Sequence, residues 1–287
     1  MASEVIVLVA DDNHLAHAKH VMVNCRREGQ WEGDFLLIVP EGLDTADMES
    51  RGIAVYPVPA SGFLTKFWIF SERVRSWRAA LYLDCDVIVM SALAPLFQQL
   101  ADYVPLEDGS QPIIADMEDC PAWMTLEKAS HGSKERHELF NALVREFPDV
   151  LNDFWNSAML LYGPSTIPDG SVARLEEVQS RYELINNPAE GGTDQQIIHC
   201  VLFQRIRRIK EKLWCFWGLD EPNARVQSDS RGWHGREVPI VLHYTRWYAP
   251  WIVKQPEAEA YYNDRIRHVC HEFYTDNLAA FDEVFPT

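Results

Sequence analysis

The chain has 287 residues, a formal net charge of −17, and 47% hydrophobic residues. This length and apolar content suffice to bury the core of one large domain or of two small ones. The acidic balance argues against a nucleic-acid partner or an anionic membrane surface, because both select basic surfaces. The one strong basic cluster runs from Arg205 to Lys212, and we expect it to form a solvated helix or strand face, with binding of an acidic partner as the alternative.

The cysteines and the amino terminus bear on the cellular compartment. The six cysteines form no CxxC pair and no regular spacing, which is typical of reduced thiols in a cytoplasmic protein. The apolar run Val5–Ala10 is too short for a signal peptide and has no basic flank. No stretch approaches the roughly 20 apolar residues of a membrane span. We therefore expect a soluble cytoplasmic protein without a transmembrane segment.

The first quarter of the chain alternates apolar runs with amphipathic segments, which is typical of an α/β fold with a largely parallel sheet. Strands are predicted over Val5–Ala10, Phe35–Val39 and Ile53–Val58. Helices are predicted over Leu15–Arg27, Asp44–Arg51 and Phe63–Trp77. Polar residues follow the first strand at its carboxyl end, where ligands bind in such folds.

The next apolar run, Ala80–Met90, contains two carboxylates, Asp84 and Asp86. In a regular strand both would face the same side, and two like charges that close are costly without a cation between them. Oxygen ligands suit Mg²⁺ or Mn²⁺, which would also bind the phosphates of a nucleoside diphosphate. Solvated surface carboxylates are the ordinary alternative. A haloacid-dehalogenase-type phosphatase is disfavoured, because its motif has Thr or Val where this chain has Ile88 and lies nearer the start of the chain.

The remaining elements continue the α/β pattern, and no repeat or linker divides the chain. Strands are predicted over Gln111–Ala115, Phe154–Tyr162 and Val238–Tyr244. Helices are predicted over Leu93–Leu100, Val172–Tyr182 and Pro256–Phe285, and another follows the glycine turn at Gly191, with Asp194 and Gln195 in its first turn. The polar, helical insert from Glu118 to about Val150 is a candidate lid or acceptor loop.

Five separated stretches together resemble the motifs of family 8 glycosyltransferases, in matching order from residue 5 to about 252. They are Ala10-Asp11-Asp12-Asn13-His14, Leu64-Thr65-Lys66-Phe67 with Leu81-Tyr82-Leu83-Asp84-Cys85-Asp86, Phe154-Trp155-Asn156-Ser157-Ala158, Gly192-Thr193-Asp194-Gln195, and His243-Tyr244-Thr245-Arg246 continuing to Pro250-Trp251. Each motif is weak alone, whereas all five in order are specific.

The resemblance implies a GT-A fold, which is an α/β, Rossmann-like nucleotide-sugar-binding fold with a mixed central sheet and C-terminal helices. Residues 1–252 would form this domain, and residues 253–287 a helical extension packed on it. The implied activity is retaining transfer of a hexose from a UDP-sugar to an acceptor hydroxyl, with Mn²⁺, or alternatively Mg²⁺, as the cofactor. The acceptor is open among a glycan, a protein and a small molecule, and a homodimer is a further expectation.

The resemblance also implies a role for individual residues. Metal ligands would be Asp84, Asp86 and His243, which as two carboxylates and an imidazole suit Mn²⁺ chemically. The donor would be held by Asp11, Asn13, Lys66, Asp84, Ser157 and Arg246, with Asp11 and Asn13 on the uracil and ribose. The reacting sugar would be surrounded by the catalytic residues Asn156, Asp194 and Gln195.

Departures from the family pattern keep other functions open. Arg246 and Ala249 stand where the closing motif has Gly and Lys, so Arg246 is expected to supply the diphosphate charge. Trp155 is inserted in the Phe-Asn pair of the strand motif. A catalytically impaired nucleotide-sugar-binding or interaction protein of the same fold is therefore the second hypothesis. A nucleotidyltransferase is less favoured, because that class opens with a Gly-rich basic loop after its first strand, where this chain has Asp11 and Asp12.

Overall fold

The computed structural model describes residues 4–118, 131–151, 154–187, 193–209, 215–217, 241–243 and 273–287. At 116–118, 154, 156, 215–217, 242 and 243 it describes the backbone alone. It gives the chain a mixed α/β architecture, as predicted.

A seven-stranded sheet forms the centre, in the order β3-β2-β1-β4-β7-β6-β8. Its strands are β1 Glu4–Val9, β2 Asp34–Pro40, β3 Ala54–Val58, β4 Ala79–Leu83, β6 Ile113–Glu118, β7 Phe154–Tyr162 and β8 Ile206–Arg208. The pairs β1–β2, β2–β3, β1–β4 and β6–β8 are parallel, whereas β7 runs antiparallel to both β4 and β6. The start of β7 therefore lies beside the carboxyl end of β4.

A second, three-stranded sheet combines segments that are far apart in the sequence. Its order is β5-β10-β9, with β5 Val87–Val89, β9 Cys215–Trp217 and β10 Val241–His243. Antiparallel pairing places His243 opposite Val87, next to Asp86 in the chain. The backbone thus brings two of the three predicted metal ligands to neighbouring positions.

The apolar run of β1 is explained by burial of both faces of the central sheet. Val5 and Val7 belong to one hydrophobic cluster, and Ile6 and Leu8 belong to the other. All four side chains are completely buried. A separate hydrophobic core therefore lies on each face of the sheet, and helices pack on both.

The helices divide between the two cores. They are α1 Leu15–Arg27, α2 Ala46–Ser50, α3 Ala94–Asp102, α4 Lys134–Glu146, α5 Ser171–Tyr182 and α6 Asp194–Leu202. Val21 of α1 and Leu96 of α3 pack in the cluster that contains Ile6. Leu143 of α4, Leu175 of α5 and Ile197 of α6 pack in the cluster that contains Val5.

The predicted helix Phe63–Trp77 is wrong in type. The segment forms two 3₁₀ helices, Gly62–Phe70 and Glu72–Ser76, separated by Ser71 in an extended conformation. Phe67 and Phe70 are both buried, and they are three residues apart, which is one turn of a 3₁₀ helix. Lys66 lies in the middle of the first segment and not in the first turn, where it was predicted.

The predicted continuous strand Ala80–Met90 is also wrong. β4 ends at Leu83, the chain turns through Asp84–Asp86, and β5 resumes in the other sheet. Burying the carboxylates of Asp84 and Asp86 inside a sheet that is covered on both faces would be costly, so the backbone leaves the sheet at Asp84. The simple alternation that would place Asp84 and Asp86 on one face does not apply in this turn.

The other predicted elements are confirmed where they are described, with bounds that shift by a few residues. Two short strands, β8 and β9, were not predicted; β8 contains the exposed Arg207 and Arg208, so the basic run begins on a solvated strand as expected. The candidate lid lies outside the described residues over 119–130. Within 131–150 it forms α4 and the start of a 3₁₀ turn.

The carboxyl-terminal residues pack against α1 and the start of β2. Residues 273–279 are helical, a turn follows at Ala280, and a short helix spans Phe281–Val284. The rings of Phe285 and Phe35 lie 5.7 Å apart, and Arg51 donates to the carbonyl of Phe285. The predicted single helix Pro256–Phe285 is therefore interrupted at Ala280, and residues 256–272 lie outside the described part.

Within the described residues, no helix combines the length and hydrophobicity that a membrane crossing needs. The thiols of Cys25, Cys85 and Cys200 are free and buried.

Two buried histidines predict acid sensitivity of the fold. Burial lowers the pKa of His20 to about 3 and that of His199 to about 4, from an ordinary value near 6.5. The unfolded chain therefore binds protons first as the pH falls, so the stability that these groups provide above pH 6.5 is lost toward pH 4. Each histidine contributes a slope of about 1.4 kcal/mol per pH unit within this window.

Urea denaturation at pH 7, 6 and 5 measures this slope. We expect His20→Gln to reduce the slope, because only the contribution of His199 then remains of the two, whereas the exposed control His137→Gln keeps the wild-type slope. An unfolding free energy that stays constant from pH 7 to pH 5 would contradict the prediction.

Candidate functional site

The candidate site lies where the carboxyl ends of β1 and β4 meet. Connections in doubly wound sheets diverge at such a position, which leaves a crevice for ligands. The turn Ala10–His14 follows β1, and the turn Asp84–Asp86 follows β4. The thiol of Cys85 donates to the carbonyl of Val9 at 3.3 Å and joins the two turns.

Lys66 is the centre of the site, and its side chain is only 8% exposed. The Nζ atom lies 2.9 Å from Oδ1 and 3.2 Å from Oδ2 of Asp84. It lies 3.0 Å from Oδ2 of Asp194 and 3.0 Å from Oγ of Ser157. One ammonium group therefore joins the first 3₁₀ segment, the end of β4, the start of β7 and the start of α6.

Opposing effects set the charge of Lys66. Burial disfavours the ammonium form, but the carboxylates of Asp194 and Asp84 outweigh it and raise the pKa of Lys66 above its ordinary value. The side chain is consequently a permanent cation at any physiological pH. Its ring contact with Tyr82, at 4.9 Å from Nζ to the centroid, adds a cation–π interaction.

Ser157 connects Lys66 to the first turn of α6. Its Oγ lies 3.1 Å from Oδ2 of Asp194 and 3.0 Å from Oε1 of Gln195, and its backbone N–H donates to the same Oε1 at 3.0 Å. Thr193 begins the helix with a capping box that includes Gln196. A carboxylate in the first turn of a helix is stabilised by the helix dipole, which favours Asp194 at this position. The predicted first-turn placement of Asp194 and Gln195 is confirmed.

Tyr82 belongs to the site, although it is not among the predicted site residues. Its hydroxyl donates to Oδ1 of Asp84, and burial followed by the charge of Asp84 raises its pKa well above 10. The phenol therefore stays protonated and remains a donor to the carboxylate. The signal was present in the sequence, because residues 82 and 84 are two apart at the end of a strand.

The Asp11 side chain orders the turn after β1. Its Oδ1 accepts from the backbone N–H of His14 at 3.1 Å and lies 2.6 Å from Nδ1 of the His14 ring. Burial acts to raise the pKa of Asp11, but the hydrogen bonds and charge of His14 lower it overall. Asn13 is exposed in the same turn. Asp11 thus shapes the start of α1, a role that is compatible with ligand binding by its half-exposed edge.

The remaining predicted site residues are described in part or not at all. Asn156 lies in β7 beside Ser157, and His243 ends β10, but only their backbones are described. Arg246 lies outside the described residues. Asp86 follows Cys85, and its negative charge, with those of Asp84 and Asp11, helps burial to raise the pKa of the Cys85 thiol. Electrostatically, the two turns therefore behave as one acidic corner.

Carboxylates outnumber cations among the described side chains of this corner. Asp11, Asp84, Asp86 and Asp194 each carry a negative charge, and Lys66 is the cation that lies among them. No group of three or more His, Cys, Asp or Glu side chains in the described part of the chain is arranged to hold a metal ion. An anionic ligand would nevertheless need additional positive charge here, since like charges at short range repel. Carboxylate, amide and hydroxyl groups at Asp194, Gln195 and Ser157 offer the hydrogen bonds that a polyhydroxylated ligand requires.

No family model matches the chain, and no curated protein sequence matches it. Solved structures do match. The galactosyltransferase LgtC, in complex with donor and acceptor sugar analogues, superposes with a TM-score of 0.59 at 17% identity over 95% of each chain. A variant of LgtC in which glutamate replaces an active-site glutamine gives a TM-score of 0.60 at 15% identity over the same shares. The glycosyltransferase GlyE of Streptococcus pneumoniae TIGR4 gives 0.56 at 16% identity, over 99% of this chain and 64% of GlyE.

These matches show the fold of the chain. It is the GT-A-like α/β fold of glycosyltransferases, and the predicted fold class is confirmed. Membership of family 8 stays a prediction, because no sequence match supports it.

We expect Lys66→Met to destabilise the protein by about 3–5 kcal/mol, because it leaves the carboxylates of Asp84 and Asp194 without their shared cation. The double variant Lys66→Met with Asp194→Asn should recover part of this loss, since one uncompensated charge disappears. Equilibrium denaturation in urea measures all of these changes.

The matched control is Lys134→Met, since that side chain is 90% exposed and pairs with Glu138 at 3.6 Å. We expect it to change stability by no more than about 0.5 kcal/mol. A Lys66→Met protein as stable as the Lys134→Met control would show that Lys66 does not hold the site together.

Proposed function

We propose that this protein is a retaining, metal-dependent glycosyltransferase that moves a hexose from a UDP-sugar to an acceptor hydroxyl. The observation that carries the proposal is the convergence of Lys66, Asp84, Ser157, Asp194 and Gln195 at the carboxyl end of β4. The GT-A-like fold supports it, because the matched LgtC is a galactosyltransferase that was solved with sugar analogues. The five sequence motifs, which occur in the order typical of family 8 glycosyltransferases, support the same proposal.

A divalent cation fits this corner by charge and by donor chemistry. The excess of carboxylates would repel a diphosphate unless a cation neutralised them. Asp84 and Asp86 supply oxygen ligands, and the pairing of β5 with β10 brings the backbone of His243 next to them. When bound, Mn²⁺ or Mg²⁺ would neutralise the negative charge that develops on the departing UDP.

The nucleoside would lie over the turn that follows β1. The carboxylate of Asp11 and the amide of Asn13 are acceptor and donor groups suited to the edges of uracil and the ribose hydroxyls. Ordering of this turn by the bond between Asp11 and His14 reduces the entropy that binding must overcome. Arg246 would add charge on the diphosphate.

The transferred hexose would occupy the space at Asp194 and Gln195, and Asn156 would join them from its position next to Ser157 in β7. Asp194 accepts hydrogen bonds from sugar hydroxyls, while its bond to Lys66 fixes its orientation. Ser157 holds Oε1 of Gln195 through two hydrogen bonds, and these fix the orientation of the side-chain amide. LgtC provides a parallel, because a glutamine of its active site has been exchanged for glutamate.

A front-face path would account for retention of the anomeric configuration of the hexose. The acceptor hydroxyl approaches the same face of the hexose from which UDP departs and gives its proton to the leaving phosphate. No side chain then needs to act as a base, which agrees with the pairing of Asp194 and Lys66. The residues of the site bind the sugar, orient it and exclude water.

The donor assay tests the proposal directly. The protein is incubated with Mn²⁺ and a panel of UDP-, GDP-, dTDP- and ADP-hexoses, and release of the nucleoside diphosphate is followed alongside calorimetric binding. We expect slow release of UDP from one UDP-hexose and no release from the other nucleotide classes. Absence of both UDP binding and UDP release would contradict the proposal. UDP binding without release from any sugar would favour the impaired, binding-only alternative, for which the departures at Arg246 and Ala249 are the motivation.

We expect Asp86→Asn to weaken Mn²⁺-dependent UDP binding at least tenfold and to leave the metal-independent part of the binding unchanged, because it removes one metal-binding charge. Calorimetry with and without EDTA separates the two parts. The control Glu135→Gln makes the same carboxylate-to-amide change at an exposed position of α4 and should bind like the wild type. Equal UDP affinity in Asp86→Asn and the wild type would remove Asp86 from the metal site.

A further inference from the structure

Three histidines, one at the N-cap of α1 and two within the helix, connect the candidate site to the carboxyl-terminal segment. His14, His17 and His20 are spaced by three residues, so they lie along one face of the helix. Nδ1 of His17 lies 2.7 Å from the hydroxyl of Tyr274, and the Tyr274 ring packs on His20 at 5.0 Å between centroids. Nδ1 of His20 lies 3.3 Å from Nδ2 of Asn277. A polar network therefore lies between α1 and residues 273–279.

Burial makes this network specific. Tyr274 is 8% exposed, Asn277 3% and His20 0%. Polar groups removed from water in this way must keep their partners, so their geometry allows few alternatives. The position of the His17 ring is accordingly set by Tyr274.

The opposite side of His17 faces the candidate site. Its ring meets the ring of His14 edge-on at 5.8 Å, and Asp11 holds His14 at 2.6 Å. Burial and His14 lower the pKa of His17 to about 4, while the negative charges of Asp86 and Asp11 act to raise it. His17 is therefore close enough to both acidic turns to interact electrostatically with their carboxylates.

The anchoring of the carboxyl-terminal segment does not depend on the Tyr274 hydroxyl. Phe281 and Phe285 are buried in the core, and Arg51 pairs with Asp282 at 2.9 Å and donates to the carbonyl of Phe285. Lys19 lies 4.7 Å above the Phe281 ring. Loss of the hydroxyl alone would leave this packing in place, so the hydroxyl contributes orientation rather than attachment.

We propose that Tyr274 is a positioning residue for the nucleotide: through His17 it holds His14 and Asp11 in the conformation that receives the base of a nucleoside diphosphate. This inference rests on the proposed function. It assigns to the carboxyl-terminal segment a part in substrate binding, although that segment lies outside all five motifs of the sequence. Tyr274 itself does not touch the nucleotide.

The test compares Tyr274→Phe with Phe281→Leu in the full chain. Tyr274→Phe removes the hydroxyl and keeps the ring, whereas Phe281→Leu loosens the anchor of the segment and leaves the hydroxyl. We expect Tyr274→Phe to raise the UDP Kd and the donor KM about threefold to tenfold, which is the range of one lost hydrogen bond, with kcat unchanged. We expect Phe281→Leu to lower the melting temperature and to leave UDP Kd and KM as in the wild type.

Resonances of ¹³C- and ¹⁵N-labelled histidines provide a second readout without nucleotide. We expect the His14 and His17 ring signals to shift in Tyr274→Phe and to remain in place in Phe281→Leu. Equal UDP affinity in Tyr274→Phe and the wild type overturns the inference and leaves the proposed function intact. Parallel losses of affinity and melting temperature in both variants reduce Tyr274 to a purely structural role. A wild-type protein that binds no UDP defeats the proposed function itself, whatever the histidine signals show.

Discussion

One buried ammonium group, that of Lys66, fixes the relative positions of the elements that form the candidate site. It contacts Asp84 after β4, Ser157 at the start of β7 and Asp194 at the start of α6. These elements are remote in the sequence, and the ion pairs of Lys66 with two carboxylates stabilise their contact in the fold. Because removing one partner from a buried ion pair leaves an uncompensated charge, the three positions depend on one another. The same contacts orient the groups that would bind a sugar.

The charge of the site and its support come from different parts of the fold. Acidic side chains collect at the carboxyl ends of β1 and β4 because buried strands cannot contain them. The same excess of negative charge makes a cation necessary for any diphosphate ligand. Support comes from the Tyr274 network, on the side of α1 that faces the carboxyl-terminal residues. Burial of Phe281 and Phe285 attaches that segment to the core.

Apolar runs and turn residues were enough to predict most of the strands and helices in the described part of the chain. β1 and β2 were recognisable as continuous apolar strands because both faces of the sheet are buried, and α6 begins at Asp194, which was predicted in its first turn. Two errors have physical causes that periodicity does not express. Gly62–Phe70 takes the 3₁₀ form with five of its nine side chains buried, and the chain leaves the sheet at Asp84 because β4 is buried on both faces. The spacing of Tyr82 and Asp84 at the end of a strand was visible in the sequence, whereas the contact between His17 and Tyr274 joins residues 257 positions apart, which spacing does not reveal.

Crystals grown with Mn²⁺ and UDP offer the most direct measurement, through anomalous scattering recorded at the manganese edge. The account predicts an anomalous peak in contact with Asp84, Asp86 and His243, together with uracil density over the turn formed by Asp11 and Asn13. UDP bound away from the carboxyl ends of β1 and β4, or a manganese peak remote from Asp84 and Asp86, would contradict it.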